Sequence, residues 1–309
     1  MSNNLVAAID FGTNTARLLV AEIRADGSFE HVRLEREIVR MGGGFSCQQG
    51  LSEDAVQRGL GCLQRFSEIL NGYGLSHPRA VATSAVRDAV NGKEFLASVQ
   101  RQTGISLRII DGEQEGALTL AGVIAGLDRH HDNLMVFDVG GGSTEYTLSH
   151  NGTAAFIKSL PLGVVRLTEG KITADEMNKK ISKELDLLMH DIIASHNAIG
   201  SEDTVLVGTA GTATTLAAIQ MKMASYDYRK VNNSLLTLDQ IRDIYAMLLP
   251  LSLEERVAVP GLEKGREDLI VAGMLITIQT MERLGFTTLK VSDYGLLEGL
   301  IVSGDVGGC

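Results

Sequence analysis

One pattern occurs twice in this chain: an apolar strand that ends in Asp and runs into a glycine turn. Residues 5–10 read Leu-Val-Ala-Ala-Ile-Asp and lead into Phe11-Gly12-Thr13-Asn14-Thr15. Residues 133–138 read Asn-Leu-Met-Val-Phe-Asp and lead into Val139-Gly140-Gly141-Gly142-Ser143-Thr144. Setting Asp138 on Asp10 gives an offset of 128 residues, the difference of the two positions. Each copy then continues in the same way. A strand follows the turn, over 16–23 and again to Leu148. Next comes a hairpin turn, Ala25-Asp26-Gly27 or His150-Asn151-Gly152, and then a third strand, from Phe29 or up to Ser159. A repeat of this length predicts two lobes of one topology rather than a single continuous sheet.

The intervening segments fit that division. In the first half, helices are predicted over 51–70, with Ser52 as N-cap, and over 93–102 and 113–125. Short strands are predicted at 79–82 and 106–110. The second half continues with a helical stretch at 173–195, a strand at 203–207 and further helices to about 284. A strand at 287–292 and a last helix at 293–302 complete it. The expected lobes are therefore 1–125 and 126–309, with the last helix packing back on the first. A length of 309 residues is enough for a core in each.

Composition narrows the partners. The formal net charge is −10, which argues against nucleic acid as a ligand. A polyanionic small ligand would have to be met locally by cations, backbone N–H groups and a few Arg. Cys47, Cys62 and Cys309 form no paired or metal-binding pattern, and an odd, scattered set suits a reducing cytoplasm. The opening Met-Ser-Asn-Asn has no basic region, so no signal peptide is expected. The longest apolar run, 269–278, is too short to span a bilayer, so no membrane partner is expected either.

Glycine turns after strands have a specific use. Without Cβ atoms, successive N–H groups can converge on an anion, and Ser or Thr hydroxyls add donors. Residues Gly12, Thr13, Asn14 and Thr15 form one candidate phosphate cradle, and Gly140, Gly141, Gly142, Ser143 and Thr144 form the second. A third candidate, Gly208-Thr209-Ala210-Gly211-Thr212-Ala213-Thr214, lies between an apolar strand and a helix. No P-loop motif occurs, and no GxGxxG follows a strand.

These residues and several others resemble one family. Ala8-Ile-Asp10-Phe-Gly-Thr-Asn-Thr-Ala-Arg17, Ala82-Thr-Ser-Ala-Val-Arg87-Asp-Ala-Val-Asn91 and Phe137-Asp138-Val-Gly-Gly-Gly-Ser-Thr-Glu145 are similar to segments of the Ppx/GppA phosphatases. So are Leu160-Pro-Leu-Gly-Val-Val-Arg166, Gly265-Arg266-Glu-Asp268 through Gly273, and Val291-Ser-Asp-Tyr-Gly-Leu-Leu-Glu298-Gly. The matches run from residue 6 to about 302. The family comprises exopolyphosphatases and guanosine pentaphosphate phosphohydrolases. Its membership in the actin, Hsp70 and sugar-kinase superfamily implies an α/β fold of duplicated ribonuclease H-like lobes with a cleft between them. The chain resembles the short, two-lobe form of the family.

The resemblance also implies a chemistry. Water attacking a terminal phosphoryl group needs a positioned base, a metal and donors for the equatorial oxygens. The family's base is a Glu at the start of the helix after the last strand of the first lobe. Counted from Gly122-Val123, Glu115 fits that position, and Glu113 is the neighbouring alternative. Asp138, Glu145 and Asp10 are the implied metal ligands, and their all-oxygen character suits Mg²⁺ or another divalent cation. Arg17, Arg87, Arg166 and Arg266 form the implied cationic lining, with Gly211 and Thr212 in the third cradle. The seven His form no ligand cluster. The expected activity is exopolyphosphatase, with guanosine pentaphosphate phosphohydrolase as the alternative and a homodimer as an admissible assembly. Two further readings of the fold are a small-molecule kinase, which needs an acceptor pocket, and a nucleotide-binding switch, which needs an attached substrate domain.

Overall fold

In the computed structural model, which describes residues 4–43, 50–169, 173–195 and 203–304, the apolar run Leu5–Phe11 is strand β1. Strands β2 (Thr15–Ile23) and β3 (Phe29–Ile38) continue from it as an antiparallel meander. Helix α1 (Glu53–Gly72) follows. Ser52 Oγ accepts the Ala55 N–H at 3.3 Å to start it, and two acids in the first turn favour the helix dipole. Next come β4 (Arg79–Ala82), α2 (Ser84–Arg87), α3 (Gly92–Thr103), β5 (Arg108–Ile109) and α4 (Gly112–Gly126). The sheet order is β3-β2-β1-β4-β5, with β1, β4 and β5 parallel. Strand β3 is the edge and carries alternating charges, including the Arg33–Glu35 pair, which blunt edge-to-edge pairing.

The second sheet repeats this plan. Strands β6 (Asn133–Val139), β7 (Thr144–His150) and β8 (Thr153–Leu160) form the meander, followed by α5 (Val164–Glu169) and α6 (Ala174–Ala194). A reciprocal cap between Thr173 and Glu176 opens α6. Beyond them lie β9 (Thr204–Thr209), α7 (Ala210–Gln220), α8 (Tyr228–Val231) and β10 (Leu235–Thr237). Then come α9 (Leu238–Leu248), α10 (Leu253–Val257), α11 (Ile270–Leu284) and β11 (Thr288–Val291). Read from β8, the order is β8-β7-β6-β9-β11, the order of the first sheet with β10 added at the edge. Registers agree as well. Leu5 pairs with Glu22, and Asn133 with His150, both members shifted by the offset of 128. Even the register slip recurs, between Val20 and Ala21 and between Leu148 and Ser149. The fold is the duplicated ribonuclease H-like α/β arrangement.

The chain divides into two units, Met1–Gly122 with Leu296–Cys309, and Val123–Gly295. In the first unit the alternation of β1 fills both faces of the sheet. Ile9 and Phe11 pack with Leu63, Phe66 and Phe95 of α1 and α3. Ala8 packs on the other face with Leu118 of α4 and with Leu297 and Leu300 of the C-terminal helix α12 (Leu296–Val302). That helix approaches α4 so closely that a Cβ on Gly299 would lie 1.9 Å from the Leu118 carbonyl oxygen. Glu298, part of the C-terminal motif, is buried and lies 3.6 Å from His31 Nε2 on β3. The second unit has one continuous core between its sheet and α5, α6, α7, α9 and α11.

Two expectations change. The strand read at 106–110 shrinks to Arg108–Ile109. The helix read from 293 starts at Leu296, because Ser292 Oγ and Thr209 Oγ1 both donate to the Tyr294 carbonyl and hold 292–295 as a turn. No helix among the described residues is long and apolar enough to cross a membrane.

Candidate functional site

In the first unit, parallel pairing aligns the strand ends. Phe11 pairs with Ala82, and Ala82 with Ile109, so the segments that follow β1, β4 and β5 gather at one sheet edge. The glycine turn closes with the Gly12 N–H on the Thr15 carbonyl at 3.0 Å. Thr13 Oγ1 lies 2.7 Å from Ser84 Oγ and accepts the Ala85 N–H at 3.2 Å, which fixes the turn to α2. The carbonyls of Thr13 and Asn14 accept N–H groups from Gly42, Val39 and Arg40. Asn14 Oδ1 is buried and makes no hydrogen bond among the described residues.

Asp10 and Arg17, expected as metal and phosphate ligands, meet each other. They are direct cross-strand partners, and Arg17 Nε and Nη2 donate to Asp10 Oδ2 at 3.1 and 2.7 Å. The base candidates separate by burial. Asp111 Oδ1 accepts the Gln114 N–H at 2.8 Å, while Gln114 Oε1 accepts the Asp111 N–H at 3.3 Å. This reciprocal cap sets the first turn of α4, which leaves Glu113 exposed and turns Glu115 inward, 8% exposed. Arg87 Nη1 lies 3.5 Å from Glu115 Oε2 and donates to the Ile110 carbonyl at 3.2 Å. Asn91, in the same motif as Arg87, clamps the backbone of Leu51 with two hydrogen bonds of 2.9 Å.

In the second unit, Asp138 lies directly opposite Glu145 on β7 and opposite Thr209 on β9, and Glu145 lies opposite Ser159 on β8. A polar row thus crosses four strands on one face, in the order Ser159, Glu145, Asp138, Thr209. Asp138 is 8% exposed and Glu145 2%. Ser159 Oγ donates to Glu145 Oε1 at 2.7 Å. The glycine turn beside this row closes as in the first unit, Gly140 N–H on the Ser143 carbonyl at 3.0 Å. The start of α5 sits directly on the turn: Val164 and Val165 donate to the carbonyls of Gly140 and Gly141 at 3.0 and 2.9 Å. A Cβ on Gly163 would lie 2.1 Å from the Gly141 oxygen, which explains the glycine in the Leu160–Arg166 motif. Among the described residues, the N–H groups of Gly141, Gly142 and Ser143 donate to no protein acceptor. Thr144 Oγ1 donates to the Leu162 carbonyl, so that hydroxyl supports the turn. Arg166 lies exposed on α5.

The third cradle differs from expectation. Gly208 and Thr209 belong to β9, and α7 begins at once at Ala210, whose φ of 61° makes the bend. Pairing of Gly208 with Val291 and of Thr209 with Asp138 holds both in the sheet. Gly208 serves packing, since a Cβ there would meet Leu289 and Phe137 at about 3 Å. Gly211 and Arg266 do come together: a Cβ on Gly211 would lie 1.7 Å from Arg266 Nη1. Arg266 Nε also donates to Glu263 at 2.8 Å. Thr212 is buried against Gly273 of α11.

Two polar contacts escaped the sequence reading: Ser159 on Glu145, which only the strand register brings together, and Ser84 on Thr13, which joins α2 to the first glycine turn. Cys62 is buried behind β2 and β3, and burial pushes its thiol up, so it offers no nucleophile. Cys47 and Cys309 lie outside the described residues.

The profile described as the Ppx/GppA phosphatase family matches residues 19–305. Among similar proteins, Exopolyphosphatase 2 of Mycobacterium tuberculosis is 31% identical over 98% of this chain and 99% of its own length. A bifunctional 3-dehydroquinate synthase/phosphatase of Fusobacterium nucleatum is 33% identical over 98% of this chain, which spans 47% of that protein. The Aquifex aeolicus member of the Ppx/GppA family superposes with a TM-score of 0.80 at 31% identity, covering 97% of this chain and 96% of that one. An exopolyphosphatase from Cytophaga hutchinsonii gives 0.87 at 26%, covering 98% and 100%.

Proposed function

The chain belongs to the Ppx/GppA phosphatase family, and on that footing we propose that it is an exopolyphosphatase using Glu115 as the base for water. The placement of Glu115 carries this reading. It is a buried carboxylate at the start of α4, beside a guanidinium, at the edge where the strands end. Glu113, two residues away, faces solvent. In the proposed step Glu115 accepts a proton from water as that oxygen attacks the terminal phosphorus. Arg87, tied to the Ile110 carbonyl, holds Glu115 in place. The glycine turns supply N–H donors for phosphate oxygens, most directly Gly141, Gly142 and Ser143. Asp10 contributes by fixing Arg17 next to the first turn.

Mg²⁺ is the proposed cofactor, held by Asp138 and Glu145. Two buried carboxylates on adjoining strands are hard oxygen donors of the required kind. Mg²⁺ takes one or two carboxylates and completes its shell with water and substrate phosphate. When bound, such an ion would offset charge on the transferred phosphoryl group.

Polyphosphate is proposed as the substrate from the similarity to Exopolyphosphatase 2, which spans nearly the whole of both chains. Guanosine pentaphosphate is the alternative. Phosphate release should be measured with long polyphosphate, short polyphosphate and guanosine pentaphosphate, with no acceptor present. The expected outcome is the highest kcat/KM on a polyphosphate. A higher value on the nucleotide would overturn the substrate assignment, and dependence on an added acceptor would overturn hydrolysis.

A further inference from the structure

The second unit contains a cavity of about 490 Å³ that the proposed chemistry does not use. Its lining includes Thr204 at the start of β9 and Thr288 at the start of β11. Asp138 pairs with Thr209, at the other end of β9. A strand rises roughly 3.3 Å per residue, so about 16 Å of β9 separates the two places. In a parallel α/β sheet the catalytic loops follow the strands, and this cavity lies where the strands begin.

Its chemistry is uneven in a particular way. Arg129 and His131, from the segment between α4 and β6, and Lys290, on β11, all line it. Lys290 is only 6% exposed, an uncommon state for a lysine, and donates to Asp128 Oδ1 at 2.8 Å. Asp128 offsets one of these charges. His131 Nε2 is enclosed and makes no hydrogen bond among the described residues. Burial holds the His131 ring below its ordinary range, and the Lys290 and Arg129 charges hold it down further. Arg129 and Lys290 set against Asp128 leave the lining one positive charge in excess, in a chain whose net charge is −10. The remaining wall mixes Thr204, Thr287 and Thr288 with apolar side chains, among them Phe286 and Leu235, the last 61% exposed.

We propose that this cavity is a binding site for a small phosphate monoester carried on an apolar or aromatic body, separate from the hydrolytic site. A guanidinium, an ammonium that Asp128 already accepts from, and an imidazole nitrogen with no protein partner line one cavity, a donor set of the kind a phosphate group takes. Phe286 and Leu235 offer the surface for the body. The volume falls within the range of small-molecule sites, roughly 300–1,000 Å³.

The test is imidazole NMR on the full chain, with the His131 signal identified by its loss in His131→Gln. The probes are adenosine monophosphate, inorganic phosphate and adenosine. Adenosine monophosphate should move the His131 signal saturably, inorganic phosphate more weakly and adenosine not at all. Arg129→Gln should weaken the nucleotide response about tenfold or more, as loss of one charge-assisted hydrogen bond predicts. Arg129→Gln should leave phosphate release from polyphosphate unchanged, which also reports that the variant is folded. Lys290→Met, read in the same way, checks the second cation. A His131 signal that ignores all three probes, or a response equally strong in Arg129→Gln, would overturn the site. Equal affinity for adenosine monophosphate and inorganic phosphate would overturn the role of the apolar wall.

Discussion

Position for position, the two hairpins share a backbone but carry different charges. Strands β1 and β2 pair in the same register as β6 and β7, and both meanders slip at the same place. The equivalent rungs nevertheless differ: Arg36, Arg17 and Asp10 in the first, Ser159, Glu145 and Asp138 in the second. One substitution within the repeat, Arg17 against Glu145, turns an ion pair into a pair of like charges. An Asp facing an Arg stabilises a sheet, whereas two carboxylates side by side cost it stability. Buried arrangements of the second kind are kept where they serve a site. The apolar alternation that builds each strand is thus separable from the chemistry, which rests on the residues of a single rung.

The largest effect should come from Glu115→Gln. It should lower kcat by roughly 10²–10⁴ while leaving substrate binding and thermal stability near wild type. Near-normal turnover in Glu115→Gln, together with a loss in Glu113→Gln, would move the base by two residues.

A second experiment rebuilds one repeat as the other. Glu145→Arg sets an Arg opposite Asp138, as Arg17 stands opposite Asp10. The expected result is an activity loss of at least about 10²-fold with no recovery at high Mg²⁺, and a thermal midpoint that holds or rises. Glu145→Gln, which adds no bulk, should show a milder rise in the Mg²⁺ requirement. Unchanged Mg²⁺ dependence in both variants would remove Glu145 from the metal site.

Ser159 offers a finer probe and also shows where sequence reading stops. The strand and turn pattern in 5–29 and 133–159 is legible because the leading strand of each copy is mostly apolar and every turn carries Gly. Residues facing one another across the hairpin are not. Counting outward from the pair His150 and Thr153 would place Lys158 opposite Glu145, but the slip at Leu148/Ser149 substitutes Ser159. A bulge leaves no clear mark in sequence, so the hydroxyl on Glu145 emerges only from the register. Part of the third glycine cluster has a packing role for a related reason. Gly208 is demanded by Phe137 and Leu289, and nothing local distinguishes that need from a phosphate turn. Glu115 could be placed by resemblance, but its burial depends on the Asp111–Gln114 cap and on Arg87. Ser159→Ala should raise the Mg²⁺ midpoint about tenfold and keep kcat at saturating Mg²⁺ within about twofold, as loss of an outer partner of a metal ligand does. A fall in kcat that Mg²⁺ cannot restore would mean that Ser159 acts on something other than Glu145.

The smallest effect on metal response should come from Asp10→Asn, the position equivalent to Asp138. Its Oδ2 accepts both Arg17 bonds, so the substitution leaves a partly buried guanidinium facing a neutral amide. The cost should appear in folding, about 1–3 kcal/mol in urea denaturation, because a charge-assisted hydrogen bond has lost its anion. Turnover at saturating Mg²⁺ should fall only as far as Arg17 loosens beside the first glycine turn, and the Mg²⁺ midpoint should move less than about twofold, since no oxygen assigned to the ion has changed. Arg17→Met with Asp10→Asn should recover part of the lost stability, since the pair is then removed together rather than broken. A Mg²⁺ midpoint that rises in Asp10→Asn as steeply as in Glu145→Gln would overturn the assignment of the metal response to the second rung alone.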